Sequence, residues 1–511
     1  MAVSPDGARI VSGYNDNTIR IRDTATGKET ITLMSFTGTD SQLASASRGL
    51  VVETETATTS IDGEWLAITP DGYYTASARG DRYLNVRVNN TVTGIDAYSD
   101  TFYNPDVVQA RLCGLPDPAS KAKLSIQQVT PPPRVVINSP ASGTTITSNS
   151  GGINLSVTIT DQNKPLEDIR IMVNGIRIGS GELRGLSGAQ GITVNEGGLT
   201  VTGNQKTVSF QVPLNLVEPG INRIEVMAFN GLAWGYSGDV RTVDLVWNPP
   251  TRQQIPLPNL WIMAVGVNHY DNAGTPALQR TGYRALGNLN FCANDAKELV
   301  ASFKAQEGKR FARVNSLVIA DGEATTPTAE NIRRGFEFFK QAGQRDVVLL
   351  FMAGHGLSEG SSFYFLASDA RIENGATVDP AHAISDEALR GVLNAPGRRL
   401  IFIDACQSGG MDIDRFMHSL RRTNAFMLSS SEGTKPSYED ARWNRHGVFS
   451  YSIIRGLGGL ATPPQTANLG VKQLSGYVIK DVSDLTRNLG EPQRPVQYSW
   501  GFGDFDIAFT K

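Results

Sequence analysis

The sequence predicts a multidomain protein in which two β-rich stretches precede an α/β segment built on a mostly parallel sheet. Three observations carry this. Short alternating runs broken by tight turns fill the start of the chain, over residues 1–118. Evenly spaced alternating strands with no convincing helix between them occupy residues 134–248. From Leu260 onward the period changes, and continuous apolar runs alternate with amphipathic segments over residues 259–511.

The first stretch opens with a turn at Ser4-Pro5-Asp6-Gly7, a strand over Ala8–Gly13, a second turn at Asn15-Asp16-Asn17 and an alternating strand over Thr18–Arg22. This resembles one WD repeat, with Arg22 standing where that family has Trp before the closing Asp23. A second turn of the same type, Thr69-Pro70-Asp71-Gly72, follows Trp65–Ile68. Two such signals fall short of the about four to eight blades that close a propeller. The expectation is an incomplete propeller, either truncated or a remnant.

Pro131-Pro132-Pro133 is a stiff spacer. Beyond it, strands are expected at Ile153–Ile159, Ile169–Val173, Thr207–Val212, Ile221–Ala228 and Val240–Val246, which together read as a β-sandwich. It is similar to the immunoglobulin-like modules of bacterial multidomain proteins. Both β segments are candidate surfaces for protein partners. Pro249-Pro250 begins the next linker.

In the third segment, Trp261–Val267 suits a strand buried on both faces. Asn294-Asp295 opens a helix over Ala296–Lys304, with Leu299, Val300 and Phe303 on one face. Ser316–Ala320 reads as a strand. Thr326-Pro327-Thr328 caps a helix running through Gln341. Strands at Val347–Met352 and Leu400–Asp404 flank a helix at Ser385–Leu393, and Ala425–Ser429 and Gly447–Leu457 continue as strand and helix.

Among the 511 residues, 47 basic and 50 acidic side chains give a net charge of −3. That balance offers no grip on a polyanion, so nucleic acid is not an expected partner. No apolar run approaches the ~20 residues that span a bilayer, and the opening Met-Ala-Val-Ser-Pro-Asp-Gly has no leader-like stretch. Membrane association is not expected, and a cytoplasmic location is. Three cysteines, Cys113, Cys292 and Cys406, are too few for a disulfide framework and form no CxxC pair.

Two apolar strands run into reactive side chains. Val347–Met352 leads to Ala353-Gly354-His355-Gly356, and Leu400–Asp404 leads to Ala405-Cys406-Gln407-Ser408-Gly409-Gly410. In a parallel sheet both ends lie at one edge, where a nucleophile and its base must meet. Glycines around both residues let backbone approach a substrate closely.

These motifs resemble the caspase-like cysteine peptidases, specifically the metacaspase and bacterial orthocaspase branch, over about residues 259–508. The separation 406 − 355 = 51 is close to the roughly 50 residues between His and Cys in caspases. The upstream Trp261–Tyr270 and Cys292-Ala293-Asn294-Asp295, and the downstream Ser429-Ser430-Ser431 and Gly447–Tyr451, fit the same branch. The resemblance implies a His355–Cys406 dyad with no third catalytic residue, and an oxyanion held by the backbone N–H groups of Gly356 and Cys406. It also implies a pocket for substrate Arg or Lys at Asp404, Cys292 and Asp295, whose carboxylates suit a guanidinium. Ala353 stands where metacaspases have a pocket Ser. Asp404 as a strand-end cap and Asp295 as a helix cap are competing readings.

Arg421-Arg422 is a candidate self-cleavage site, with two solvated arginines as the equal alternative. No cofactor is required and no metal site is expected. Calcium dependence occurs in parts of the family, but Asp412 and Asp414 form no compact ligand loop. Two other functions share these motifs: a catalytically silent caspase-fold interaction protein, and a separase-like bacterial protease of different specificity. His269 is expected to be structural, His382, His418 and His446 to lie on surface loops, and Cys113 to be buried.

Overall fold

In the computed structural model, residues 1–36, 64–77, 80–118, 124–147, 152–162, 164–174, 176–178, 192–195, 198–201, 205–213, 217, 220–237, 241–246, 256–273, 287–359, 362–373, 377–390, 392, 395–408, 425–431, 437–464, 466–499 and 505–510 are described. The chain divides into two compact units, Met1–Val173 with Arg177–Gln253, and Asn174–Ile176 with Gln254–Lys511.

The first unit is rich in β-structure. Strands Ala2–Val3, Arg9–Gly13, Thr18–Asp23, Glu29–Phe36, Glu64–Ile68 and Tyr74–Ala76 form an antiparallel sheet in chain order. Both Pro-Asp-Gly turns close in the same way: Gly7 N–H donates to Ser4 O and Gly72 N–H to Thr69 O, at 2.8 and 2.9 Å. Each glycine has φ above +60° (70° and 98°), a conformation side chains resist.

The sheet is followed by a helix the sequence reading missed, Pro105–Cys113. Its signals were present: Asn104 caps it by accepting from Val107 N–H, Pro105 opens it, and Gly114 ends it in a left-handed conformation. Cys113, at its C-terminal end, is exposed rather than buried, because the helix packs through Val107 and Val108.

Further along this unit, two sheets share a core. Arg134–Ser139, Gly152–Thr160 and Gln205–Pro213 make one, while Thr144–Thr147, Arg241–Val246, Gly220–Phe229 and Asp168–Val173 belong to the other. Ile153, Leu155, Val157 and Ile159, every second residue of one strand, meet Ile169, Ile171, Ile224 and Val226.

The second unit is built on an eight-stranded mixed sheet. Its strands are β1 (Leu260–Gly266), β2 (Val314–Ala320), β3 (Val347–Glu359), β4 (Ser362–Leu366), β5 (Ala383–Ser385), β6 (Arg398–Ser408), β7 (Ala425–Ser429) and β8 (Val496–Ser499). The order is β2-β1-β3-β6-β7-β8, parallel except for β8, with β4 antiparallel to the far end of β3 and β5 antiparallel to β4. Leu349, Phe351, Leu400, Phe402, Phe426 and Leu428 bury one face against helices α1 (Cys292–Lys304), α4 (Val448–Arg455) and α5 (Val471–Thr486). The alternate residues Val348, Leu350, Met352, Ile401 and Ile403 are equally buried, which is why the strands read as unbroken apolar runs. Thr328 caps α2 (Ala329–Gly335), accepting from Asn331 N–H at 3.3 Å, and the chain tightens into a 3-10 turn over Phe336–Gln341. The segment expected as helix from Ser385 is helical over α3 (Asp386–Arg390), and Ser385 itself ends β5. No helix among the described residues is long and apolar enough to cross a membrane.

Candidate active site

The apolar part of β3 is followed by the small pair Ala353-Gly354, and this pair makes room. A Cβ on Gly354 would stand 3.0 Å from the Tyr270 hydroxyl and 2.9 Å from the Phe365 ring. Because it is absent, Tyr270 reaches the strand and its hydroxyl accepts from His355 N–H at 2.8 Å, with the two rings 5.0 Å apart.

The His355 ring is held from the other side by backbone. Nε2 lies 2.9 Å from the carbonyl oxygen of Gly287. A carbonyl can only accept, so Nε2 carries the hydrogen, and in the neutral ring Nδ1 is the basic nitrogen. Burial lowers the pKa of His355 below its ordinary value, with the Gly287 carbonyl and the charge of Glu439 pulling the other way. The ring is therefore a neutral base at pH 7.

Cys406 belongs to β6, the neighbour of β3, and the parallel register makes it the direct partner of His355. Neighbouring strands lie about 4.8 Å apart. The same register pairs Ala353 with Asp404 and Gly356 with Gln407, while Gly356 also pairs with Phe365 of β4.

Next to this rim two carboxylates converge in the interior. Asp404 accepts from the hydroxyls of Ser437 and Ser450, at 2.8 and 2.9 Å. Asp295, on the first turn of α1, meets His446 Nδ1 at 2.6 Å and accepts from Gly447 N–H at 3.2 Å. Cys292, one turn earlier on that helix, is buried as well. The two carboxylates flank Gly447, where a Cβ would sit 2.8 Å from Asp404 Oδ2 and 3.2 Å from Asp295 Oδ2.

Asp295 therefore does not cap the helix. The helix starts at Cys292, four residues before the expected Ala296, with Phe291 at its N-cap, and Asp295 faces a histidine instead. Burial pushes its pKa up to about 7, against the His446 hydrogen bond, and the charge of Asp404 adds to the rise. Burial raises Asp404 too, with the Ser437 and Ser450 hydroxyls opposing.

His446 corrects an expectation. It is not a surface loop residue but is 2% exposed, because a carboxyl group buried inside the protein needs a hydrogen-bond partner. One sequence signal was available: His446 directly precedes the Gly447-Val448-Phe449 run that enters the core. His382 is engaged too, its Nδ1 lying 2.9 Å from Asp369. His269 is exposed beside Asp321. Tyr270 stood within a quoted motif, yet nothing in the sequence singled out its hydroxyl. The Gly287 carbonyl has no side-chain signature at all.

Arg421, Arg422, Asp412, Asp414 and His418 lie outside the described residues. Among the described residues no group of three or more His, Cys, Asp or Glu side chains is arranged to hold a metal ion.

Comparison with known proteins bears on this domain. Residues 261–500 match the family model described as Caspase domain. No curated protein matches the chain. Among solved structures, a structural-genomics protein from Geobacter sulfurreducens is 16% identical, with half of this chain and all of that one covered and a TM-score of 0.34. An endo-β-1,4-mannanase from Thermotoga petrophila is 9% identical over 24% of this chain and 21% of that one, with a TM-score of 0.16. A family 123 glycoside hydrolase from Clostridium perfringens is 9% identical over 57% and 61%, also at 0.16. Likenesses this weak carry no argument. The family match covers both strands of the rim and both carboxylates, so residues 261–500 of the chain carry a caspase domain, which supports a cysteine peptidase of the caspase-like kind.

Proposed function

We propose that this chain is a cysteine endopeptidase that cleaves after Arg or Lys, with His355 as general base and Cys406 as nucleophile. The observation that carries the reading is the register pairing of these two residues on adjacent parallel strands. The fixed tautomer supports it, since Nε2–H held by Gly287 keeps Nδ1 basic.

In this mechanism the Cys406 thiol gives its proton to Nδ1 and the thiolate attacks the substrate carbonyl carbon. The backbone N–H groups of Gly356 and Cys406 hold the resulting oxyanion, each such donor being worth roughly 2.7–4 kcal/mol in the transition state. Collapse breaks the C–N bond, and the imidazolium protonates the leaving amine. Water then hydrolyses the thioester, releasing the acid and restoring the thiol.

Basic specificity rests on the convergence of Asp404 and Asp295. Two buried carboxylates are costly without a cation, and a guanidinium entering between them would offset their desolvation. The second unit supplies all of these groups; the β-rich unit is a candidate surface for protein partners.

A panel of fluorogenic peptides differing only in the residue before the scissile bond tests this. Arg and Lys peptides should be cleaved, and Asp and Leu peptides should not. Hydrolysis that persists in Cys406→Ala would overturn the nucleophile, and equal turnover of all four peptides would overturn the pocket. Arg421-Arg422 is proposed as a self-cleavage site, which Cys406→Ala should leave intact on incubation.

A further inference from the structure

A segment with no reactive side chain controls the base. Gly287, whose carbonyl holds His355 Nε2, opens a stretch that runs to Phe291, just before α1. That stretch is tied down at each step. Asn288 Oδ1 accepts from Tyr270 N–H at 3.0 Å, Leu289 N–H donates to Asn268 O at 2.8 Å, and Asn268 Nδ2 donates to Asn290 O at 3.1 Å.

Its far end is gripped by one carboxylate from a distant part of the sequence. Glu439 accepts from Asn290 N–H at 2.9 Å, from Asn290 Nδ2 at 2.8 Å and from Phe291 N–H at 3.1 Å. Glu439 is itself fixed in a small hairpin, paired with Gly447, which sits between the two pocket carboxylates. Three donors converging on one half-buried carboxylate are more than surface packing requires, and all three come from the segment that carries the Gly287 carbonyl.

We propose that Glu439 is a positioning residue for the base: it clamps residues 290 and 291 so that the Gly287 carbonyl meets the His355 ring. The inference rests on His355 being the base. Charge works in the same direction as geometry, since the carboxylate of Glu439 favours the imidazolium that forms when the thiol is deprotonated. Among the described residues, Tyr270 also faces the ring, tilted at 5.0 Å from it, and Cys406 is the register partner of His355 on β6.

The test uses the full chain with Glu439→Gln and Glu439→Ala, measuring kcat, KM and the pH profile of kcat/KM on an Arg peptide. Glu439→Gln is isosteric and keeps a folded protein available should Glu439→Ala unfold. In both variants kcat should fall about tenfold or more, the scale of a mispositioned general base, while KM stays within about twofold. The acid limb of kcat/KM should move to lower pH, because the imidazolium loses a neighbouring negative charge. An unchanged kcat and acid limb in Glu439→Gln would overturn the proposal, whatever happens to thermal stability. If His355→Ala retains wild-type turnover, the base assignment itself fails; a dead His355→Ala beside an unaffected Glu439→Gln removes only the clamp.

Discussion

The His355 rim and the Asp295–Asp404 pocket lie within one sheet-and-helix layer, and both are shut away from water, yet desolvation drives them differently. At the rim it lowers the pKa of an imidazole and leaves a neutral ring, which is the state the proposed chemistry would use. In the pocket it raises the pKa of two carboxylates and works against the charged state that the proposed basic substrate would need. Burial is therefore free of penalty at the rim and is a standing strain in the pocket. The rim meets it with a single backbone carbonyl; the pocket needs two serine hydroxyls, a histidine and a backbone N–H.

This contrast can be broken most sharply at the rim. His355→Ala should lower kcat/KM for an Arg peptide by roughly 10²–10⁴, the range of a lost general base, and should barely move thermal stability at pH 8. Steady-state kinetics and thermal melts on the same sample check it. A large loss of stability there would mean that the ring serves the fold.

Asp404→Asn should do the reverse. Losing a buried partner for the substrate cation should reduce kcat/KM on Arg peptides by about 10² or more. Stability should rise. Both carboxylates have folded pKa values above their unfolded ones, so their favourable contribution is complete below about 4 and fades as pH rises; for Asp295 it fades toward its value near 7. The melting temperature of Asp404→Asn should exceed that of wild type at pH 8 by a few degrees, at about 2–4 °C per kcal/mol, and converge with it near pH 4. A gap that widens toward acid pH would reverse the electrostatic reading.

Gly447→Ala is the mildest of the three. Its Cβ would press on Asp404 Oδ2 at 2.8 Å, so the site must shift, at about 1–3 kcal/mol of stability. KM for Arg peptides should rise more than kcat falls, since the crowding is in the pocket and not at the rim. Equal effects on both would mean that the two regions are not separable.

How much of this was legible in the sequence differs between the same two regions. The rim was readable because continuous apolar runs specify parallel strands, and the residues that follow them must emerge at one edge. Asp404 was readable too, two positions before Cys406 on the same strand. The pocket's partners were not. Asp295 meets His446 across 151 positions, and the pairing depends on a hairpin and a helix N-terminus that local signals misplace. The outer strands β4, β5 and β8 were missed for a related reason: they are three to five residues long and pair antiparallel at the margin, where no long apolar run announces them. The helix over Pro105–Cys113 was overlooked although both of its caps are written in the sequence, because the surrounding pattern of turns favoured strands.

The thirteen-residue length of β3 has a further consequence. His355 sits within that strand and not on the loop beyond it, with β6 alongside and β4 joining one residue later. A base mounted this way has no hinge of its own. Its backbone amide should exchange with solvent as slowly as those at the centre of the domain, and denaturant should abolish turnover at the concentration that melts the sheet rather than earlier.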